Sequence, residues 1–137
     1  MRVLVVEPMK KPVIKDINPG LESLQYEVGG DIEVVYAFDD PVGIICNEEG
    51  KLLSLPLNRA LYAAEDADSP LEIYDVIAGT FLVAGLSDDD FCDLPPDMIE
   101  KYAHRFADPE LIGVVNGRPF AVPLHYEEEN DCEVKDD

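Results

Sequence analysis

The chain has 137 residues, 47% of them hydrophobic, which is enough for one ordinary core and too few for two. Its 30 acidic residues against 10 basic ones leave a net charge of −20. A field of that sign repels phosphate backbones and anionic bilayers, so direct nucleic-acid binding and membrane-surface binding are both disfavoured. The three cysteines, Cys46, Cys92 and Cys132, show no CxxC spacing, which argues against a disulfide framework or a zinc cluster. The apolar run after Met1 is shorter than a signal-peptide core and no transmembrane stretch follows, so the expected compartment is a reducing cytoplasm.

In chain order, Arg2 to Glu7 is β-branched and aliphatic without a helical period, which predicts a buried strand. Val13 to Ile17 offers a second strand to pair with it. Asn18-Pro19-Gly20 reads as a helix start with Asn18 as N-cap, and Leu21 to Val28 as an amphipathic helix of about two turns. Gly29-Gly30 supplies its C-cap. Asp31 to Phe38 alternates as a strand, Asp39-Asp40-Pro41 breaks it, and Val42 to Asn47 returns. Glu48-Glu49-Gly50 is expected to turn with positive φ at Gly50 and to lead into Lys51-Leu52-Leu53 as the third strand of a meander.

Pro56 cannot continue a central strand, so Leu55 to Leu57 should cross the sheet edge, and Asn58 to Ala64 is expected to form one or two helical turns. Glu65 to Pro70 is an acidic loop. Val76 to Gly85 reads as one buried strand with Gly79 near its start. Ser87 is expected to cap a polar segment, Asp88-Asp89-Asp90, suited to a helix N-terminus. Pro95-Pro96 restarts helix over Asp97 to Phe106, with Met98, Ile99, Tyr102 and Phe106 on one face. Leu111 to Val115 and Phe120 to Leu124 flank Asn116-Gly117 as a hairpin whose second strand is an edge because of Pro119 and Pro123. Glu127 to Asp137 is charged and expected to be disordered.

The expected architecture is α+β, a mostly antiparallel sheet with one or two helices packed on one face. Residues 1–106 make the core domain, residues 107–126 a hairpin-like extension and residues 127–137 an acidic tail.

Four motifs, Val28-Gly29-Gly30-x-Ile32-Glu33-Val34-Val35, Asn47-Glu48-Glu49-Gly50-Lys51-Leu52, Leu55-Pro56-Leu57-Asn58-Arg59 and Asp75-x-Ile77-x-Gly79-Thr80-Phe81, resemble in their order a family of small domains of unknown function. That family is found in phages and integrative conjugative elements of Gram-positive bacteria, and the resemblance covers roughly residues 1 to 106. It implies a mobile-element accessory protein, in a setting where inhibitors of host restriction or CRISPR systems are common. It implies no catalytic mechanism and no cofactor.

Function must then rest on surface chemistry. No Ser-His-Asp order, glycine-rich phosphate loop or zinc motif is present, so the chain is read as non-enzymatic. The aspartates lack EF-hand spacing and the two histidines are far apart, so no metal site is expected. The leading expectation is a basic protein partner, a nuclease or CRISPR effector, bound by carboxylates that stand where phosphates would: Asp39, Asp40, Glu48, Glu49, Asp66, Asp68, Asp88, Asp89 and Asp90. Such a protein would be an antirestriction or anti-CRISPR inhibitor acting as a DNA mimic. The alternative is a regulatory module in which Asn58 and Arg59 hold a small anion or nucleotide through the planar guanidinium fork. The structural role for the same pair is an ion pair from Arg59 and a turn cap from Asn58.

Overall fold

The computed structural model describes residues 1–63, 65 and 72–125. Twelve elements follow one another: β1 (Arg2–Val6), β2 (Val13–Asp16), α1 (Leu21–Val28), β3 (Ile32–Val35), β4 (Val42–Asn47), β5 (Leu57–Tyr62), β6 (Ile73–Ala78), β7 (Phe81–Leu86), β8 (Phe91–Cys92), α2 (Pro96–Arg105), β9 (Glu110–Val115) and β10 (Arg118–Pro123). A six-stranded sheet has the order β2-β1-β7-β4-β3, and β8 also pairs with β7. Gly85 of β7 faces Val42 of β4 on one side and Cys92 of β8 on the other, so β8 continues the line of β1. Every pairing is antiparallel.

The strands at the centre are apolar on both faces, because both faces are covered. Val3, Val5, Ile45, Leu82 and Ala84 point to α1 and meet Leu24 and Val28. Leu4, Val6, Val42, Ile44, Phe81 and Val83 point the other way, toward Tyr102 of α2 and its C-cap Phe106 and toward Leu61 and Ile77 of the β5–β6 hairpin. The fold is α+β with mostly antiparallel sheets, as expected, but its two helices take opposite faces of the large sheet and not one face, because the central strands are apolar on both sides. Phe106 stands edge-on to Phe81, with ring centroids 5.1 Å apart, which fixes the end of α2 over β7.

Several local expectations are overturned, each by a physical cause. Helix α1 starts two residues later than Asn18 could cap: its N-cap is Gly20 at φ 115°, with no side-chain capping bond. Its C-cap is Gly29 at φ 82°, as expected. Lys51 to Leu53 is a turn, not a strand, because Leu53 N–H bonds to Glu49 O and Leu55 N–H to Gly50 O, curling the chain off the sheet. β4 therefore has β3 and β7 as neighbours and the meander does not form.

Gly50 has no positive φ; its constraint is space, since a Cβ there would lie 2.7 Å from the Ala78 carbonyl oxygen. Val76 to Gly85 is two strands, and Gly79 at φ 82° is the turn between them. Asn58 to Tyr62 is strand, paired with β6. Ser87 to Asp90 closes a turn into β8 and starts no helix.

The hairpin over Asn116-Gly117 forms as expected, with φ of 53° and 78° at the two turn residues, the combination a type I′ turn needs. Its second strand is full length despite two prolines. Val115 and Arg118 close a two-residue turn and so form the hydrogen-bonded pair, and Leu124 N–H bonds to Pro109 O in the same phase. Pro119 and Pro123 then point their missing donors outward, where the ladder with β9 does not need them.

Gly50→Ala tests the close approach at Ala78. The added methyl must displace backbone, and stability should fall by about 2 kcal/mol. In urea the midpoint should drop with the m-value unchanged; an unaltered midpoint would show that the β4–β5 connection yields freely.

Candidate functional site

The two turns at one end of the large sheet carry most of the expected partner-binding carboxylates. Asp39 and Asp40 lie between β3 and β4, and Asp88, Asp89 and Asp90 between β7 and β8. The turns are tied together, since Leu86 N–H donates to Pro41 O at 2.8 Å. The second turn is also held internally. Ser87 donates to Asp90 O from both its N–H (2.8 Å) and its hydroxyl (3.0 Å), and Asp90 Oδ1 accepts from Phe91 N–H at 2.7 Å. Asp39, Asp88, Asp89 and Asp90 are exposed.

Asp40 differs from its neighbours. Its Oδ2 accepts from Lys101 Nζ at 2.6 Å and from the Tyr102 hydroxyl at 2.7 Å. These bonds hold its carboxyl below the ordinary aspartate range, the Lys101 bond contributing most. Asp40 thus anchors α2 to the sheet and is not available charge. Glu48 and Glu49 sit at the other end of β4, roughly 17 Å away for a strand of this length. The expected set is therefore not one face, and Asp66 and Asp68 lie outside the described residues.

Asn58 and Arg59 are both completely buried. Asn58 Nδ2 donates to the carbonyls of Val6 (2.9 Å) and Gly79 (2.8 Å). Its Oδ1 accepts from Arg59 Nη1 at 2.8 Å, while Arg59 Nη2 donates to the carbonyls of Lys10 (2.8 Å) and Phe106 (2.9 Å). Among the described residues Arg59 Nε has no hydrogen-bond partner. Burial presses the guanidinium pKa downward, opposed by the charges of Glu110 and Asp108. The turn cap expected of Asn58 and the carboxylate pair expected of Arg59 are both replaced by bonds to main-chain carbonyls. The fork that was to grip a small anion is spent inside the protein and reaches no solvent.

Next to this pair, side chains close the outer edge of β5. Ala60 N–H donates to Glu110 Oε1 (2.8 Å), Arg105 Nη2 donates to Ala60 O (3.0 Å), and Tyr62 N–H donates to Glu65 Oε2 (2.7 Å). Arg105 also binds Glu65 through two nitrogens, at 2.9 and 2.7 Å, and lies over the Phe106 ring. Burial pushes the Glu110 carboxyl above its usual range, against the Ala60 N–H and the nearby arginines. The Arg105 guanidinium is raised although burial opposes it, because the Glu65 bond and charge outweigh that cost. Sequence reasoning missed these residues, since Arg105 and Glu110 are 45 and 50 positions from Ala60 and Glu65, three after Tyr62, belongs to no local motif.

Cys46 is buried in β4 and its thiol is pushed up to about 11, mainly by burial, which leaves it unreactive at neutral pH. Among the described residues no group of three or more His, Cys, Asp and Glu side chains is placed to hold a metal ion, and no helix is long and apolar enough to cross a membrane.

Asp40→Asn keeps the size of the side chain and removes the charge. A carboxylate with a depressed folded pKa stabilises above its unfolded value near 4 and loses that effect as the pH falls through the folded value. The variant should be about 1 kcal/mol less stable at pH 7, with the gap closing as the pH drops below the ordinary aspartate range. Parallel thermal melts from pH 7 to pH 2.5 measure this; a gap that does not depend on pH would mean that Asp40 acts by shape alone. For the buried pair, Arg59→Met strands three acceptors and should lower stability by about 3 kcal/mol. Near-wild-type urea unfolding would overturn its bridging role.

No curated protein and no solved structure matches the chain. A family model described as a domain of unknown function, DUF3846, matches residues 1–107, from the first strand through the end of α2. The chain belongs to the DUF3846 family.

Proposed function

We propose that this chain is a non-enzymatic interaction protein that engages a basic, nucleic-acid-handling partner through the carboxylate-bearing turns at one end of its sheet. The observation that carries this reading is the tying of the Asp88-Asp89-Asp90 turn to the Asp39 turn through the Leu86–Pro41 bond, which presents exposed carboxylates from two loops on one braced edge. Rigid spacing of like charges costs repulsion that only an opposing surface relieves, so such an edge favours a groove built for phosphates.

The balance of cations supports it. Among the described residues six of them, Arg2, Lys10, Lys15, Lys51, Lys101 and Arg105, sit in ion pairs with Asp16, Glu7, Glu27, Asp75, Asp40 and Glu65. A seventh, Arg59, is buried. Little positive charge is left to offset the acidic surface. In the mobile-element setting that the sequence resemblance implies, the partner would be a restriction or CRISPR nuclease, and the protein its inhibitor by nucleic-acid mimicry.

The test is affinity capture of purified restriction and CRISPR effectors with the full chain at increasing salt. Capture should weaken steeply between 50 and 300 mM salt, values chosen to span the range over which phosphate-like contacts are screened (on the order of 10 Å Debye length at 0.1 M). Replacing Asp88, Asp89 and Asp90 together by Lys should abolish it, while Glu48→Lys with Glu49→Lys at the far end should leave most of it. Equal loss from both sets would point to non-specific charge, and capture of none of the effectors would refute the assignment.

A further inference from the structure

The stretch from Leu111 to His125 contains no carboxylate, in a chain where 30 of 137 residues are acidic. It forms the β9–β10 hairpin, which lies beyond the residues matched by the family. Given the phase of its ladder, Leu111, Gly113 and Val115 share one face with Val122, Phe120 and Arg118 opposite them. Phe120 lies over Gly113, where a Cβ would come within 2.7 Å of the ring. Leu111, Val115 and Val122 on this face are about half exposed.

The two edges of the hairpin differ. The outward positions of β10 are Pro119, Ala121 and Pro123, so two of the three have no N–H to give. The outward positions of β9 are Glu110, Ile112 and Val114. Glu110 is engaged with β5, while Ile112 and Val114 show no main-chain partner on that side among the described residues. Val114 is 66% exposed. Beyond Glu110, where β5 lies against β9, the apolar edge at Ile112 and Val114 has no ladder partner among the described residues and is a template for another strand.

We infer that β9 pairs antiparallel with β9 of a second copy of this chain, making a four-stranded sheet β10-β9-β9-β10 across a two-fold axis. Self-complementarity selects that occupant. With Gly113 on the axis, Ile112 of each copy exchanges both main-chain bonds with Val114 of the other. Leu111 faces Val115 across the axis and the two glycines face each other, so apolar meets apolar and no like charges stand opposite. A second copy also carries the −20 charge, and the hairpin from Leu111 onward, which has no carboxylate as far as His125, is where two such chains can approach with least repulsion. The prolines of β10 then end the sheet on both sides, so the assembly closes as a dimer and does not grow into a filament.

The full chain should sediment at twice its 15.2 kDa mass at high concentration and dissociate on dilution. Amide exchange at Ile112 and Val114 should slow at least tenfold in the dimer and recover in the monomer. Val114→Pro removes one outward donor at a position equivalent to those β10 already fills with proline, and should leave a monomer at every concentration tested. A wild-type chain that stays monomeric, a dimer in which those two amides exchange freely, or one that survives Val114→Pro would each overturn the pairing. Should that variant unfold, the wild-type exchange pattern alone decides.

Discussion

Four main-chain carbonyls converge on two adjacent side chains, and most of the architecture depends on that junction. Asn58 holds the end of β1 at Val6 and the β6–β7 turn at Gly79; Arg59 holds the β1–β2 connection at Lys10 and the end of α2 at Phe106. Each carbonyl lies where its strand or helix has stopped and no ladder can satisfy it, and leaving such an acceptor buried and bare costs roughly 1–3 kcal/mol. The Phe106 contact also brings a cation to a helix C-terminus, where the dipole favours it. The cost is a buried charge with an unpartnered Nε, tolerable because the guanidinium spreads its charge over several oxygens.

That junction also explains how the protein manages its charge. In a chain this acidic, two of the arginines, Arg59 and Arg105, stand where one fork satisfies several acceptors. Arg59 serves the carbonyls of Lys10 and Phe106 as well as the Asn58 amide on its own strand, and Arg105 bridges Glu65, Ala60 O and the Phe106 ring. The lysines are spent differently, in single pairs at the surface that contribute little each. Lys101 is the exception, because its partner Asp40 is shared with the Tyr102 hydroxyl and so belongs to the packing of α2.

Elements with a local cause could be read from the sequence. Leu21 to Val28 matches α1 in both bounds because period and Gly29 agree, and the hairpin over Asn116-Gly117 follows from two residues that accept positive φ. The failures share a different cause. Asn58 to Tyr62 resembles a helical turn because nothing nearby completes a strand; its outer edge is closed by Glu65, Arg105 and Glu110, one of them 50 positions away. Val76 to Gly85 looks continuous because Gly79 in an apolar run can serve as a turn or as a close approach, and only the crowding of Leu55 against it separates the two. Asn58 and Arg59 were legible as important and not as buried, since a polar dipeptide after a proline has the same composition at a ligand site and at a core bridge.

Glu110 decides how the hairpin relates to the family unit. The matched region ends at residue 107, yet the Ala60 N–H on the outer edge of β5 within it finds its acceptor in a carboxylate from β9. The hairpin is therefore part of how β5 is finished. Its root follows Phe106, which shares Arg59 Nη2 with Lys10 beyond the end of β1, whereas the acidic turns lie where β1 begins, beside Arg2 and β8. Helix α2 runs between the two poles, about 15 Å over its ten residues. Contact with a second chain at the hairpin thus leaves the carboxylate edge uncovered, and pairing two copies would place two such edges on the outer ends of one rigid assembly.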